Sequence, residues 1–144
     1  MNYQANSVYK NLFIGPWPPF GDELANAGID TLVLCAAENQ DAESYHGLEV
    51  ICAPGDDDTR PNRVERFAGT WIQAAVDVAK RIRSGKKVLV TCIAGHNRSG
   101  FVTAVALHYL TGMSGENCVK LVQQRRMDAL NNDAFVEYIT RNFL

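Results

Sequence analysis

Residues 87–100 read KVLVTCIAGHNRSG, and the apolar stretch FVTAVAL (101–107) follows directly. Val88-Leu89-Val90 is a short, uninterrupted apolar run, which suits a strand buried on both faces of a parallel sheet. Residues 99–110 are apolar nearly all round, so they form a helix that lies inside the fold. Between the two sits a loop carrying Cys92, Gly95 and Arg98. A buried strand that feeds a buried helix through a short loop is the unit of an α/β sheet, and ligands of such sheets bind beyond the carboxyl ends of the strands.

The flanking sequence repeats this unit. NLFIG (11–15) reads as a strand, and Pro16, Pro18 and Pro19 then mark a loop. DELANAG (22–28) reads as a short helix closed by Gly28, DTLVLCAA (30–37) as a buried strand and LEVICA (48–53) as another. PGDDDTRPN (54–62) is an acidic loop bounded by prolines. From Val64 the period becomes helical, with Val64, Phe67, Trp71, Ala75, Val78 and Ile82 on one stripe. Arg81, Arg83 and Lys86 lie near the end of that helix, where its dipole favours cations, and Gly85 stops it. Thr111-Gly112 ends the buried helix. Ser114 caps a helix carrying Val119, Val122 and Arg126, and a last helix starts near Asn132–Asp133 and buries Phe135, Ile139 and Phe143. Strands alternate with helices first, and helices dominate later. The expectation is a single compact α/β domain over 1–144, with a mostly parallel central sheet flanked by helices.

With 144 residues and 47% hydrophobic content, the chain can bury one core. Lys and Arg number 14 against 16 Asp and Glu, a formal charge of −2. No basic stripe supports nucleic-acid binding, and no polybasic patch supports a membrane surface. The start, MNYQANSVYK, lacks the apolar core of a secretory signal, and no run reaches the ~20 residues of a membrane span. Cys35, Cys52, Cys92 and Cys118 are far apart and form no CxxC pair, so neither a disulfide framework nor a zinc site is expected. The expectation is a cytoplasmic, monomeric protein that binds neither nucleic acid nor membrane. An anionic substrate must then be attracted by a local site.

The loop supplies one. A turn entering a helix N-terminus aims backbone N–H groups at one point, and the dipole adds partial positive charge. Gly95 allows a tight bend and a close approach, and the result is an anion-binding nest. Arg98 adds a planar fork that can hold two oxygens of one phosphate. Cys92 sits in that positive field, which favours the thiolate. A thiolate facing a bound phosphoryl group implies attack on phosphorus and a cysteinyl-phosphate intermediate.

Cys92-Ile93-Ala94-Gly95-His96-Asn97-Arg98-Ser99 resembles the CxxGxxR(S/T) active-site loop of the cysteine-dependent protein tyrosine phosphatases, and most of all their compact dual-specificity subgroup. NLFIG with AGIDTLVLCAAE, and VKLVQQRR with NNDAFVEYI, resemble that family's early and closing elements. The resemblance implies that Cys92 is the nucleophile, that Arg98 and the backbone N–H groups of Ile93, Ala94, Gly95, His96, Asn97 and Arg98 bind the phosphoryl oxygens, and that Ser99 assists the departing sulfur. It also implies a general-acid aspartate on a neighbouring loop, and no metal or cofactor. The acidic run 56–58 lies upstream at a suitable distance. Alignment of the strand end favours Asp57, counting back from Cys92 favours Asp58 slightly, and Asp56 is solvated charge. The implied substrate is a phosphorylated protein, at phosphotyrosine and phosphoserine or threonine, or a small phosphate monoester; a phosphoinositide or an RNA 5′-phosphate suits the same loop chemistry.

The chain departs from the family pattern at three places. Thr91 stands where the family usually has histidine, Met127 follows Arg126 where proline is usual, and His96 occupies a position that is often apolar or lysine. Thr91 keeps open the alternative of a catalytically weak phosphate-binding module, a pseudophosphatase. A rhodanese-like sulfur-transfer loop ranks lower, since such loops do not require Arg-Ser six positions after the cysteine. Cys35, Cys52 and Cys118 read as core fillers, although Cys35 ends a strand expected beside that of Cys92 and is a candidate redox partner, with Cys52 as the alternative. His46 and His108 read as structural, Asn131-Asn132 as a turn and cap, and Trp17 as a packed loop aromatic.

Overall fold

The computed structural model describes residues 3–19, 21–36 and 40–144. The chain order is β1 (Asn6–Tyr9), β2 (Leu12–Gly15), α1 (Gly21–Asn26), β3 (Thr31–Leu34), β4 (Glu49–Cys52), α2 (Pro61–Arg83), β5 (Val88–Thr91), α3 (Arg98–Thr111), α4 (Gly115–Arg125) and α5 (Asp133–Asn142), with one 3₁₀ turn at Ala42–Ser44. The strands form one sheet in the order β1-β2-β5-β3-β4. The four inner and later strands are mutually parallel, and only β1 is antiparallel. This is the expected α/β domain with a mostly parallel sheet.

Register sets where chemistry can occur. Gly15 pairs with Thr91, Thr91 with Leu34, and Leu34 with Cys52. All four parallel strands therefore end at one level, and the loops after them open on the same edge of the sheet.

The elements form for local reasons. β3 and β5 are buried at every position, as their apolar runs require. Pro61 occupies the first turn of α2, so the helix begins three residues before the apolar stripe does. The N-cap oxygens of Ser114 and Asn132 accept from Asn117 N–H and from Ala134 and Phe135 N–H. Gly112 closes α3 in the left-handed region at φ 77°.

Two elements differ from the expectation. Residues 6–9, read as a polar start, form an edge strand in which only Val8 is buried. One buried side chain in four leaves no periodic signal. Cys52 is exposed rather than a core filler, because β4 is the opposite edge of the sheet. The last residue of the expected strand 30–37 lies outside the described residues.

One face of the sheet, with Val33, Cys35, Val88, Val90 and Cys92, packs under α2–α5 around Trp71, Phe101, Phe135 and Ile139. The other face, with Leu32, Leu34 and Leu89, is covered by Leu24 of α1, Ile29 and Tyr45. Among the described residues no helix is long and apolar enough to cross a membrane.

Trp71 links this core to the loop after β4. Its ring is fully buried, lies 5.1 and 5.2 Å from the rings of Phe101 and Phe135, and its Nε1 donates to the Ala53 carbonyl at 2.9 Å. Gly55 rests on the same ring so closely that a Cβ would overlap it. Trp71→Ala is therefore expected to lower stability by about 3–5 kcal/mol, read as a fall in the denaturant midpoint, and to loosen residues 53–58.

Candidate active site

Cys92 follows β5 directly and is only 3% exposed. Its Sγ lies 3.2 Å from the Oγ of Ser99, in the first turn of α3. Between them the loop takes a shape held from outside. The Ile93 carbonyl accepts from Trp17 N–H at 3.0 Å, the Ala94 carbonyl from Arg126 Nη2 at 3.0 Å, the Gly95 carbonyl from Arg126 Nε at 2.7 Å, and the His96 carbonyl from Leu130 N–H at 3.0 Å. In a planar trans peptide the following N–H points the opposite way. Four outward carbonyls thus turn the N–H groups of Ala94, Gly95, His96 and Asn97 inward, toward the N-terminal end of α3. None of these four N–H groups donates to another group among the described residues. Gly95 is needed for this bend: its φ is 73°, and a Cβ would overlap the backbone of Gly15.

Arg126 is the main external support. It is 8% exposed, and besides the two loop carbonyls its Nη1 donates to the Gln4 carbonyl and to Asn6 Oδ1, both at 2.8 Å. It joins the start of the chain to the loop. Burial pushes its guanidinium pKa down, opposed by the nearby Tyr3 and Cys92. Burial also pushes the Tyr3 hydroxyl well up, with Arg126 opposing; that hydroxyl donates to the Pro16 carbonyl at 2.7 Å.

Arg98 Nη1 donates to the Gly55 carbonyl at 3.1 Å, which ties the guanidinium to the acidic loop. That loop treats its aspartates differently. Asp58 accepts from Arg60 three times, through N–H and Nε on Oδ1 at 2.9 Å each and through Nη2 on Oδ2 at 2.6 Å. The Arg60 hydrogen bonds hold its carboxyl well below the usual range. Asp57 turns instead to the cradle: Oδ2 accepts from Asn97 Nδ2 at 3.0 Å and Oδ1 from Asn132 Nδ2 at 2.7 Å. Asn132 is thus the expected cap of α5 and also an Asp57 partner. Asn97 stands at the N-cap position of α3 but makes no side-chain cap bond there, which leaves that helix end open.

Thr91 donates to the Val33 carbonyl at 2.8 Å and accepts from the buried Gln40 Nε2 at 3.4 Å, while Gln40 Oε1 accepts from Ala36 N–H at 3.0 Å. The pair knits the end of β5 to the end of β3. Cys35 follows β3 as Cys92 follows β5, one residue beyond the pair Leu34 and Thr91; both belong to the same core cluster, and the Cys35 N–H donates to the Thr91 carbonyl at 2.8 Å. Cys52 lies one strand further away. Cys118 is a core filler whose thiol burial pushes up to about 11. His46 is exposed and His108 hydrogen-bonds the Met113 carbonyl at 2.7 Å. Trp17 and Ile93 are both roughly half exposed, at 43% and 49%, and form an apolar rim beside the loop.

The bonds of Arg126 to the loop, of Asn97 and Asn132 to Asp57, and of Gln40 to Thr91 go beyond what the sequence marks, which is the cap at Asn132 alone. Asp57 lies 40 and 75 positions from Asn97 and Asn132, Thr91 lies 51 from Gln40, and the loop carbonyls lie 31 and 32 from Arg126, which no local pattern marks.

The family model for the dual specificity phosphatase catalytic domain matches residues 12–142. Among solved structures, human DUSP28 covers 95% of this chain and 90% of its own, with a TM-score of 0.76 at 24% identity. A mouse putative dual specificity phosphatase, complexed with zinc tungstate, covers 98% and 89%, with a TM-score of 0.78 at 22% identity. Tk-PTP in its active form covers 99% and 100%, with a TM-score of 0.77 at 24% identity. These likenesses are of fold. Among curated proteins none matches this chain.

Arg126→Met removes every donor that holds the Ala94 and Gly95 carbonyls outward. Unpaired buried carbonyls cost about 1–3 kcal/mol each, so the loop is expected to relax. Phosphate or vanadate affinity, read by calorimetry, should fall by about tenfold or more, and Arg126→Lys should restore little because a point charge cannot span four acceptors.

Proposed function

The chain belongs to the dual-specificity phosphatase catalytic-domain family, and we propose that it hydrolyses phosphate monoesters of proteins, at phosphotyrosine and phosphoserine or threonine, through a cysteinyl-phosphate on Cys92. The observation that carries this reading is the loop held with its carbonyls outward around a buried cysteine whose Sγ is 3.2 Å from Ser99 Oγ. Such a loop presents converging N–H donors to a tetrahedral dianion, and Arg98 adds a fork for its equatorial oxygens.

In the proposed reaction the phosphoryl group sits in the cradle with the ester oxygen pointing out. Cys92 Sγ attacks phosphorus; the S–P bond forms as the P–O bond to the leaving group breaks. Asp57 donates its proton to the leaving oxygen. Water then attacks the cysteinyl-phosphate, Asp57 takes a proton from that water, and inorganic phosphate departs as the Ser99 hydroxyl hydrogen-bonds the released sulfur. What supports Asp57 over Asp58 is the surroundings of each: Asp58 is held as a carboxylate by Arg60, whereas Asp57 is tied to Asn97 of the loop itself. The apolar rim of Trp17 and Ile93 suits an aryl ester or an apolar flanking side chain. The free cysteines suit a reducing, cytoplasmic setting.

The pseudophosphatase reading draws on Thr91 alone, and that residue has a settled structural partner in Gln40. Turnover separates the two. The wild type is expected to release phosphate from aryl phosphates. Cys92→Ser should lose turnover yet bind vanadate, and Arg98→Lys should lose both; Cys92→Ser turnover within tenfold of wild type would overturn the mechanism. Asp57→Asn should slow phenyl phosphate by about 10²–10⁴-fold and a nitro-activated aryl phosphate far less, since a good leaving group hardly needs the proton.

A further inference from the structure

We infer that Asn97 and Asn132 are positioning residues: together they form an amide clamp that holds Asp57 over the phosphate cradle before substrate arrives. The inference rests on the reading of Asp57 as general acid.

The clamp has a fixed polarity. An asparagine amide is ambiguous in isolation, since its oxygen and nitrogen are nearly alike in shape. Here backbone groups remove the ambiguity. Asn132 Oδ1 accepts from Ala134 N–H at 3.0 Å and from Phe135 N–H at 3.4 Å, so it must be the oxygen, and Nδ2 must face Asp57 Oδ1. Asn97 Oδ1 accepts from Asn132 N–H at 2.9 Å, so its Nδ2 must face Asp57 Oδ2. Each Nδ2 places its second hydrogen elsewhere: Asn97 on Asn131 Oδ1 at 2.8 Å, Asn132 on the Asp58 carbonyl at 2.9 Å. Both amides are therefore fully used, and neither can turn without breaking a bond to backbone.

A purely structural role leaves the aspartate unexplained. Asn132 caps α5 through its oxygen alone and needs no carboxylate for that. Asn97, at the N-cap position of α3, forgoes its usual cap bond and reaches across to Asp57. Asp57 itself is exposed, so water would satisfy its oxygens without help. An exposed aspartate samples several rotamers; this one is held at both oxygens by donors from two elements, one of them the phosphate-binding loop. A proton donor held in place loses less on the way to the transition state. Arg98 Nη1 on the Gly55 carbonyl ties down the same loop from its other end.

The test measures kcat/KM on phenyl phosphate and on a nitro-activated aryl phosphate. Asn132→Ser keeps an oxygen to cap α5 but has no amide to reach Asp57, and Asn97→Ser keeps the loop backbone; thermal midpoints confirm that both variants are folded. Each is expected to raise the ratio of activated to unactivated kcat/KM by about tenfold, within the range of general-acid catalysis. Asn132→Ser added to Asp57→Asn should raise it no further. A defect in the cradle or the fold would instead slow both esters by the same factor and leave the ratio unchanged. If Asp57→Asn raises the ratio and neither serine variant does, the clamp is overturned while the function stands. If Asp57→Asn itself leaves the ratio unchanged, the assignment of Asp57 falls and the clamp with it.

Discussion

The site depends on one constraint: four consecutive peptide carbonyls, from Ile93 to His96, must face away from the space that a phosphoryl group would occupy. A loop left to itself has no reason to hold that arrangement, because aligned N–H dipoles repel one another and water can satisfy either side. The protein supplies external donors from three directions: Trp17 N–H from the loop after β2, Leu130 N–H from the turn before α5, and the Arg126 guanidinium from the end of α4. The cradle is thus a product of the surrounding elements as much as of its own residues.

Arg126 carries the largest share and is an unusual buried ion. Among the described residues all of its partners are neutral oxygens, so its charge is solvated by protein dipoles. That arrangement has an electrostatic consequence for the site. An acid placed beside Arg126 would cancel its field; carbonyls satisfy its hydrogens and leave the positive charge in place behind the loop, near Cys92. It also ties the start of the chain to the loop: the Gln4 carbonyl, just before β1, and Asn6 Oδ1, at its first residue, both accept from this guanidinium.

The acidic loop is anchored with similar economy. Trp71 sits at the centre of the core, binds the Ala53 carbonyl and supports Gly55 on its ring; Gly55 in turn presents its carbonyl to Arg98. Packing in the interior is therefore transmitted to Arg98 and to the neighbouring aspartates through a few bonds. Thr91 and Gln40 play a comparable part at the end of β5. A short hydroxyl and a buried amide bridge two strand ends at the position where the family usually has histidine.

Much of this was legible in the amino-acid order. Uninterrupted apolar runs at 32–34 and 88–90 marked buried parallel strands, the stripe from Val64 to Ile82 marked the long helix, and Ser114 and Asn132 marked helix starts, because each of these signals is local. The placement of Cys92, Gly95, Arg98 and Ser99 was legible too, since it follows from spacing within one strand–loop–helix unit. The exposure of Cys52 was not, because an apolar-looking strand can occupy the centre or the edge of a sheet and only strand order distinguishes them. Asp57 and Asp58 are adjacent and chemically identical in sequence; a one-residue step along an extended loop turns one toward Asn97 and Asn132 and the other toward Arg60. Sequence by itself determined which side chains the site could draw on. Tertiary structure decided which oxygens and amides meet, because hydrogen bonds reach only about 3 Å and the partners lie tens of residues apart along the chain.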